Sequence, residues 1–356
     1  MAAFLNRIAT AVPPNDVHQM FADFAKGSLE EARARPIFKR LLQRSQIDHR
    51  WSILAPTADL GSGTLDTEGL YRRGAFPSTA ARMRLYERFA PCLAAQAVAG
   101  LRLRDQASEV SHVLLVSCTG LSAPGVDLQL VQRCGLNSSV ERTVVGFMGC
   151  YAAINALRLA RHIVRSEPAA LVLIVSVELC TLHLQETTDL EKILSFLVFG
   201  DGAAAALISS QPSGFSLDSF HAVLAPEAVE QITWTVGDEG FEMFLSGRVP
   251  GSVAAALRTG QEAVMGGRRV EEVELWAVHP GGRSVLDAVE DALSLEPSAL
   301  AASREVLRRY GNMSSATILF VLAALMERAR QGERGCAMAF GPGLTAETML
   351  FTAVGH

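Results

Sequence analysis

Two periods run through the apolar positions of the chain. The continuous apolar run His112–Ser117 (HVLLVS) predicts a strand buried on both faces, Leu171–Val177 another buried strand, and Ala204–Ile208 and Val273–His279 two further strands. Phe4 to Val12 reads as a shorter strand that stops at Pro13-Pro14, and Cys336–Phe340 and Thr348–Val354 read as two closing strands. Helical spacing separates them. It covers Val17 to about Gln46, then Ala80–Leu103 with Leu85, Phe89, Leu93, Ala97 and Leu101 on one side, and about 125–133. It returns after Cys150 (Ile154, Leu157, Leu159, Ile163), at Val249–Met265, from about Ser284, and from Ala316 to about Arg330. Residues 55–80, rich in Gly, Pro, Ser and Thr, are expected to be loop, and Thr233–Glu242 to be strand-like pieces and a loop. Phe199-Gly200-Asp201-Gly202-Ala203 reads as a glycine turn entering a strand. Apolar strands alternating with helices predict a layered α/β fold. A polar seam at 211–216 (QPSGFS) divides the chain into halves, 1–210 and 211–356, each repeating strand, short turn with a polar residue, and helix.

Three reactive groups fall where such sheets place their ligands, at the ends of strands: Cys150, His279 and Asn312. Cys150 sits in TVVGFMGCYAAINALRLAR, between a glycine turn and a helix start. Unpaired N–H groups converge there, and the helix dipole favours the thiolate and a lowered thiol pKa. Each residue also has a plain structural reading: Cys150 as a small buried hydrophobe, His279 as a satisfied core histidine, Asn312 as a helix cap before Ala316.

Composition narrows the class of protein. The chain has 356 residues, 49% hydrophobic and 19% charged, enough for one large core or two fused domains. A net charge of −5 without basic runs argues against nucleic acid as a partner. The N-terminus does not read as a signal peptide, and no apolar run is long enough to span a bilayer. The six cysteines (92, 118, 134, 150, 180, 336) lack CxxC or Cys/His metal spacing, so free thiols in a reducing cytoplasm and no metal are expected. One basic helix face (Arg33, Arg35, Lys39, Arg40, Arg44) reads from spacing as an ordinary solvated surface.

Five motifs in order then carry a resemblance: GFMGCYAA around Cys150, VFGDGAAA at 198–205, AVHPGG at 277–282, YGNMSSA at 310–316 and FGPGLTAE at 340–347. With RIATAVPPN near the start, they resemble the thiolase-fold condensing enzymes, and more narrowly the chalcone synthase-like (type III) polyketide synthases. The resemblance implies a five-layered αβαβα fold of two fused, pseudo-duplicated halves and a homodimer. It implies loading of an acyl-CoA starter on Cys150 and iterative decarboxylative Claisen extension with malonyl-CoA, followed by cyclisation, with His279 and Asn312 stabilising the enolate. CoA thioesters are the substrates; no metal, flavin or nicotinamide cofactor is required, and a carrier protein is not indicated.

The same resemblance assigns Phe199 to an aromatic gate. It places Glu178, Ser314 and Thr119 along the cavity, Gly343 and its neighbours in the FGPGL loop in the wall beside the nucleophile, and Arg40 and Arg44 on CoA phosphates. Ile37 stands where a third phosphate-binding position is lysine. Cys118, Cys180 and His183 replace small threonines, Met243 replaces a second gate phenylalanine, and Trp234 falls near a small-residue position. Ala123 replaces a methionine that crosses the dimer interface in plant members. These departures imply a reshaped cavity and an aliphatic starter giving an alkylpyrone or alkylresorcinol. Two other readings share the fold: an initiating β-ketoacyl carrier-protein synthase performing one condensation, and a catalytically silent acyl-CoA-binding partner subunit.

Overall fold

The computed structural model describes residues 2–29 and 34–355. In the first part of the chain it forms β1 (Phe4–Ala11), β2 (Asn15–Asp16), α1 (His18–Ser28), α2 (Ala34–Ser45), β3 (Trp51–Ser52), α3 (Thr79–Gly100), β4 (His112–Ser117), α4 (Val126–Arg133) and β5 (Glu141–Gly146). Next come α5 (Ala152–Ser166), β6 (Val172–Leu179), α6 (Leu190–Phe196), β7 (Asp201–Ser209) and β8 (Gly214–Leu224). The remainder is β9 (Ile232–Gly237), β10 (Gly240–Leu245), α7 (Val249–Met265), β11 (Leu275–Val278), α8 (Arg283–Ala292), α9 (Ala301–Tyr310), α10 (Thr317–Met326), β12 (Arg334–Gly341) and β13 (Thr345–Gly355).

Nine strands form one sheet in the order β11-β12-β13-β8-β1-β7-β6-β4-β5. The joint between its two arms is narrow: β1 meets β8 only at Phe4↔Ser216 and Leu5↔Phe215. Because side chains alternate across a strand, each arm offers two apolar faces. In β4, Leu114 and Val116 face a shared central core, while Val113 and Leu115 face an outer one. In β12, Ala337 and Ala339 face the same central core, while Cys336 and Met338 face a second outer one. The central core holds α5 and α10, through residues such as Ile154, Leu157, Ile318 and Leu322. The outer layers are α3 and α4 on one side, α7 and α8 on the other. The result is helix, sheet, helix, sheet, helix: the five-layered α/β fold expected from the sequence.

Several expectations change in detail. The helical run over 17–46 is two helices, α1 and α2, and Arg33 of its basic face lies outside the described residues. The residues Thr233–Glu242 belong to a hairpin, β9–β10, in which Trp234 lies opposite Met243. The glycine segment 199–203 is not all turn, because β7 already begins at Asp201. On α3 the fully buried face runs through Arg82, Tyr86, Ala90 and Ala94 rather than Leu85 and Phe89. Arg82 is held inside by donating to the carbonyls of Leu182, Leu184 and Pro77.

Candidate active site

Cys150 lies where strand, turn and helix meet. After β5 the backbone turns through Phe147 (φ +59°) and Gly149 (φ +82°), and α5 starts two residues beyond the cysteine. Its Sγ lies 3.8 Å from the Ser314 hydroxyl. Burial pushes the thiol up to about 12, the opposite of the lowering expected from the helix start alone. The Ser314 and Asn312 side chains favour the thiolate, and the charge of Glu178 disfavours it.

His279 follows β11 and is 1% exposed. Its backbone N–H donates to Met338 O (2.7 Å), but neither ring nitrogen has a hydrogen-bond partner among the described residues. Burial lowers its pKa to about 3, so the free imidazole is neutral. Asn312 follows α9 through Gly311 (φ +68°). Its Oδ1 accepts the Ser314 N–H (2.8 Å) and its Nδ2 donates to Gly281 O (3.3 Å), which fixes the amide. It does not cap α10, whose N-cap position is Ala316. Its backbone pairs with the segment carrying Phe199: Asn312 N–H donates to Val198 O (2.9 Å) and Gly200 N–H to Asn312 O (3.0 Å).

These side chains share one cavity of about 980 Å³, lined by Cys150, His279 and Asn312 together with Phe199 and Ser314. Cys118, Thr119, Cys180, His183, Trp234, Met243 and Arg44 also line it. Three other sequence assignments are corrected. Glu178 is fully buried and does not line the cavity, because its carboxylate turns beneath the Cys118–Thr119 segment. It accepts there from Cys118 N–H (3.0 Å), Thr119 Oγ1 (2.8 Å) and the Ser315 hydroxyl. Burial raises its pKa to about 7. Of the loop assigned to the wall, Phe340, Gly341 and Pro342 line the cavity, and Gly343 itself does not. Arg40 is exposed on α2 but outside the lining, which takes Arg44 one turn later.

The far wall is rigid. His183 Nδ1 accepts the Phe241 N–H (2.9 Å), so Nε2 carries the proton donated to Thr119 O (2.7 Å). Its ring stacks on Phe241 with centroids 4.2 Å apart and meets Trp234 edge-on at 5.5 Å. Trp234 Nε1 donates to Cys118 O (2.9 Å).

The family model for the N-terminal domain of chalcone and stilbene synthases matches residues 2–212, and that for the C-terminal domain matches 217–355. The chain belongs to the chalcone and stilbene synthase family. It is a type III polyketide synthase, an acyltransferase. An alpha-pyrone synthesis polyketide synthase-like protein, Pks18, of Mycobacterium tuberculosis is 32% identical over 99% of this chain and 91% of its own. Bisdemethoxycurcumin synthase of Oryza sativa subsp. japonica is 33% identical over 98% and 92%. Among solved structures, the C-terminal type III polyketide synthase domain of Steely1 from Dictyostelium superposes with a TM-score of 0.90 at 24% identity, covering 99% of this chain and all of that one. PKS-I of the brown alga Ectocarpus siliculosus gives 0.88 at 25%, covering 99% and 98%.

The surroundings of the cavity also include residues that sequence reasoning left unassigned. Ser315 joins Glu178 to Ser176 (2.8 Å) below the floor. Asp201, fully buried, accepts from Thr181 N–H (2.8 Å), Thr181 Oγ1 (2.7 Å) and Ile53 N–H (3.0 Å). A carboxylate opening an otherwise apolar strand was its available signal. Arg50, also fully buried, donates to Phe199 O (2.9 Å) and so holds the Phe199 segment. Helix α6 lines the cavity through Leu190 and Leu194; the 190, 193, 194, 197 spacing of its apolar residues could have found it.

Proposed function

We propose that Cys150 loads an acyl-CoA starter, that malonyl-CoA extends it iteratively by decarboxylative Claisen condensation, and that the chain is released by cyclisation. The observation that carries this reading is His279: a buried imidazole with two unpartnered nitrogens in a cavity that also holds a thiol and a fixed carboxamide. A buried polar group without a partner is costly unless a ligand supplies one.

In loading, the Cys150 proton passes to His279. The charges so formed offset one another's burial, which each group alone resists. The thiolate attacks the thioester carbonyl, CoA leaves as thiolate, and the imidazolium returns a proton to it. In extension, malonyl-CoA loses carbon dioxide, and the enolate oxygen accepts from the His279 N–H and from the second Asn312 Nδ2 proton. The enolate carbon attacks the Cys150 thioester and frees the cysteine. Phe199, Cys118, Thr119, Cys180, His183, Met243, Trp234 and Ser314 shape the space for the growing chain. This chemistry uses CoA thioesters and no metal or redox cofactor.

The bulky wall of His183, Trp234 and Met243 supports a flexible aliphatic starter over a rigid aromatic one, and the likeness to an alpha-pyrone synthesis protein supports pyrone-type closure. Homodimerisation is supported by β5, an edge strand with Val144 52% exposed, and by exposed Leu121 near Ala123. Division into halves at 210/211 is supported by the narrow β1–β8 joint. The six unpaired thiols support a reducing cytoplasm.

Malonyl-CoA with acyl-CoA starters from acetyl to long-chain and benzoyl, read by mass spectrometry, tests the reading. Pyrones or resorcinols with more than one added ketide unit are expected from wild type. A single condensation onto a carrier protein, or no turnover at all, would overturn it.

A further inference from the structure

Part of the far wall of the cavity stands apart from the main sheet. Strands β9 and β10 pair with each other in a two-stranded sheet of their own. One face of this hairpin, Ile232 and Trp234 opposite Leu245 and Met243, lines the cavity. The hairpin turn is suspended from the start of α3. Thr79 N–H donates to Asp238 O (2.8 Å), the Thr79 hydroxyl donates to Gly237 O, and the same hydroxyl accepts from Gly240 N–H (2.7 Å). One turn later Arg82 runs against Gly240, where an added Cβ would stand 2.9 Å from Arg82 Cδ. The fully buried guanidinium of Arg82 also holds the other piece of the wall. Its Nη1 donates to Leu182 O (2.5 Å) and Leu184 O (2.7 Å), the carbonyls on either side of His183, and its Nε to Pro77 O (2.8 Å). Burial lowers the pKa of this group, and Nη2 has no hydrogen-bond partner among the described residues. A buried cation is costly, and an apolar side chain would fill the space at less cost. What the planar guanidinium fork supplies is a fixed geometry between the hairpin and the His183 turn.

We propose that Arg82 and Thr79 set how far the polyketide is extended, by holding the β9–β10 hairpin and the His183 turn in one position over the cavity. Neither residue lines the cavity. Both are positioning residues that act through Trp234, Met243 and His183. The inference rests on the reading of this cavity as the site of iterative extension. Where the hairpin stands fixes the room left for another ketide unit. A hairpin free to move outward therefore admits longer chains before cyclisation.

The test reads product length, which does not depend on how much protein is folded. Full-length wild type, Thr79→Val and Arg82→Met are given malonyl-CoA with the same acyl-CoA starters, and the products are resolved by mass spectrometry. Thr79→Val keeps the shape of a half-buried side chain and removes its hydroxyl bonds to the hairpin turn. Arg82→Met keeps the aliphatic stem and removes every donor. In each variant the ratio of products with one further ketide unit to those of wild-type length is expected to rise about fivefold, the shift that one net hydrogen bond produces. Should Arg82→Met fail to fold, Thr79→Val decides alone. Misfolding lowers all products together, so a reduced yield with an unchanged ratio would confine both residues to stability and overturn the proposal. Wild type that forms no multi-ketide product from any starter would instead overturn the underlying reading of the cavity, and this inference with it.

Discussion

Gly149 and Pro342 touch across the two halves of the chain: a Cβ on Gly149 would stand 2.2 Å from Pro342 Cδ. The turn before Cys150 and the loop after β12 are therefore fitted to one another. Gly149 also holds φ +82°, which a side chain disfavours. Gly149→Ala should lose roughly 1–3 kcal/mol from backbone strain alone, with the clash added to it. Chemical denaturation would measure the loss, and starter loading followed by intact mass should drop with it. A variant as stable and as readily acylated as wild type would show that the turn tolerates a side chain.

Glu178 and Cys150 are coupled through charge rather than contact. The carboxylate titrates near 7, so it is charged where the thiol ionises, and it opposes the thiolate. Glu178→Gln removes that charge. The pH profile of Cys150 alkylation by iodoacetamide should shift down by about one unit. A midpoint that stays or rises would mean that Glu178 acts only through its hydrogen bonds to the Cys118–Thr119 segment.

Most of this architecture was legible because its strands are buried on both faces and leave unbroken apolar runs, as in HVLLVS, while α7 shows its own period over the whole of Val249–Met265. The gathering of Cys150, His279 and Asn312 was legible through their motifs, although only Cys150 and His279 follow strands and Asn312 follows helix α9. What sequence hid was depth and direction. Glu178 and Thr119 are near neighbours at the floor, yet only Thr119 faces the cavity, and no periodicity tells which way a side chain turns at a strand's end. The effect of burial on Cys150 was hidden for the same reason: a helix start is visible in sequence, but the low-dielectric surroundings that outweigh it are tertiary.

His183 is kept neutral by burial, with its pKa lowered to about 3. Unfolded, it would titrate near 6.5, so between those values the unfolded chain binds the extra proton and stability falls as pH falls. His183→Gln can keep both hydrogen bonds, to Thr119 O and from Phe241 N–H, without titrating. Between pH 4 and 6 its stability should depend on pH less steeply than that of wild type, by about 1.4 kcal/mol per pH unit, the linkage of one proton. Parallel curves from denaturation at several pH values would show that His183 takes up its proton in the folded state.

In the proposed mechanism Asn312 separates the two half-reactions. Its Oδ1 is committed to Ser314 N–H and one Nδ2 proton to Gly281 O, which leaves the other to face the cavity beside His279. Asn312→Ala removes a donor to the developing enolate but leaves thiol and imidazole in place. Malonyl-CoA decarboxylation should fall by roughly 10²–10³, the scale for one oxyanion donor. Loading of Cys150 by an acyl-CoA, read by intact mass, should remain measurable. Cys150→Ala should show the converse, with decarboxylation retained and no extension. Normal decarboxylation in Asn312→Ala would leave His279 as the sole donor, and equal loss of loading and decarboxylation would mark Asn312 as a prop for the Phe199 segment, to which its backbone is bonded.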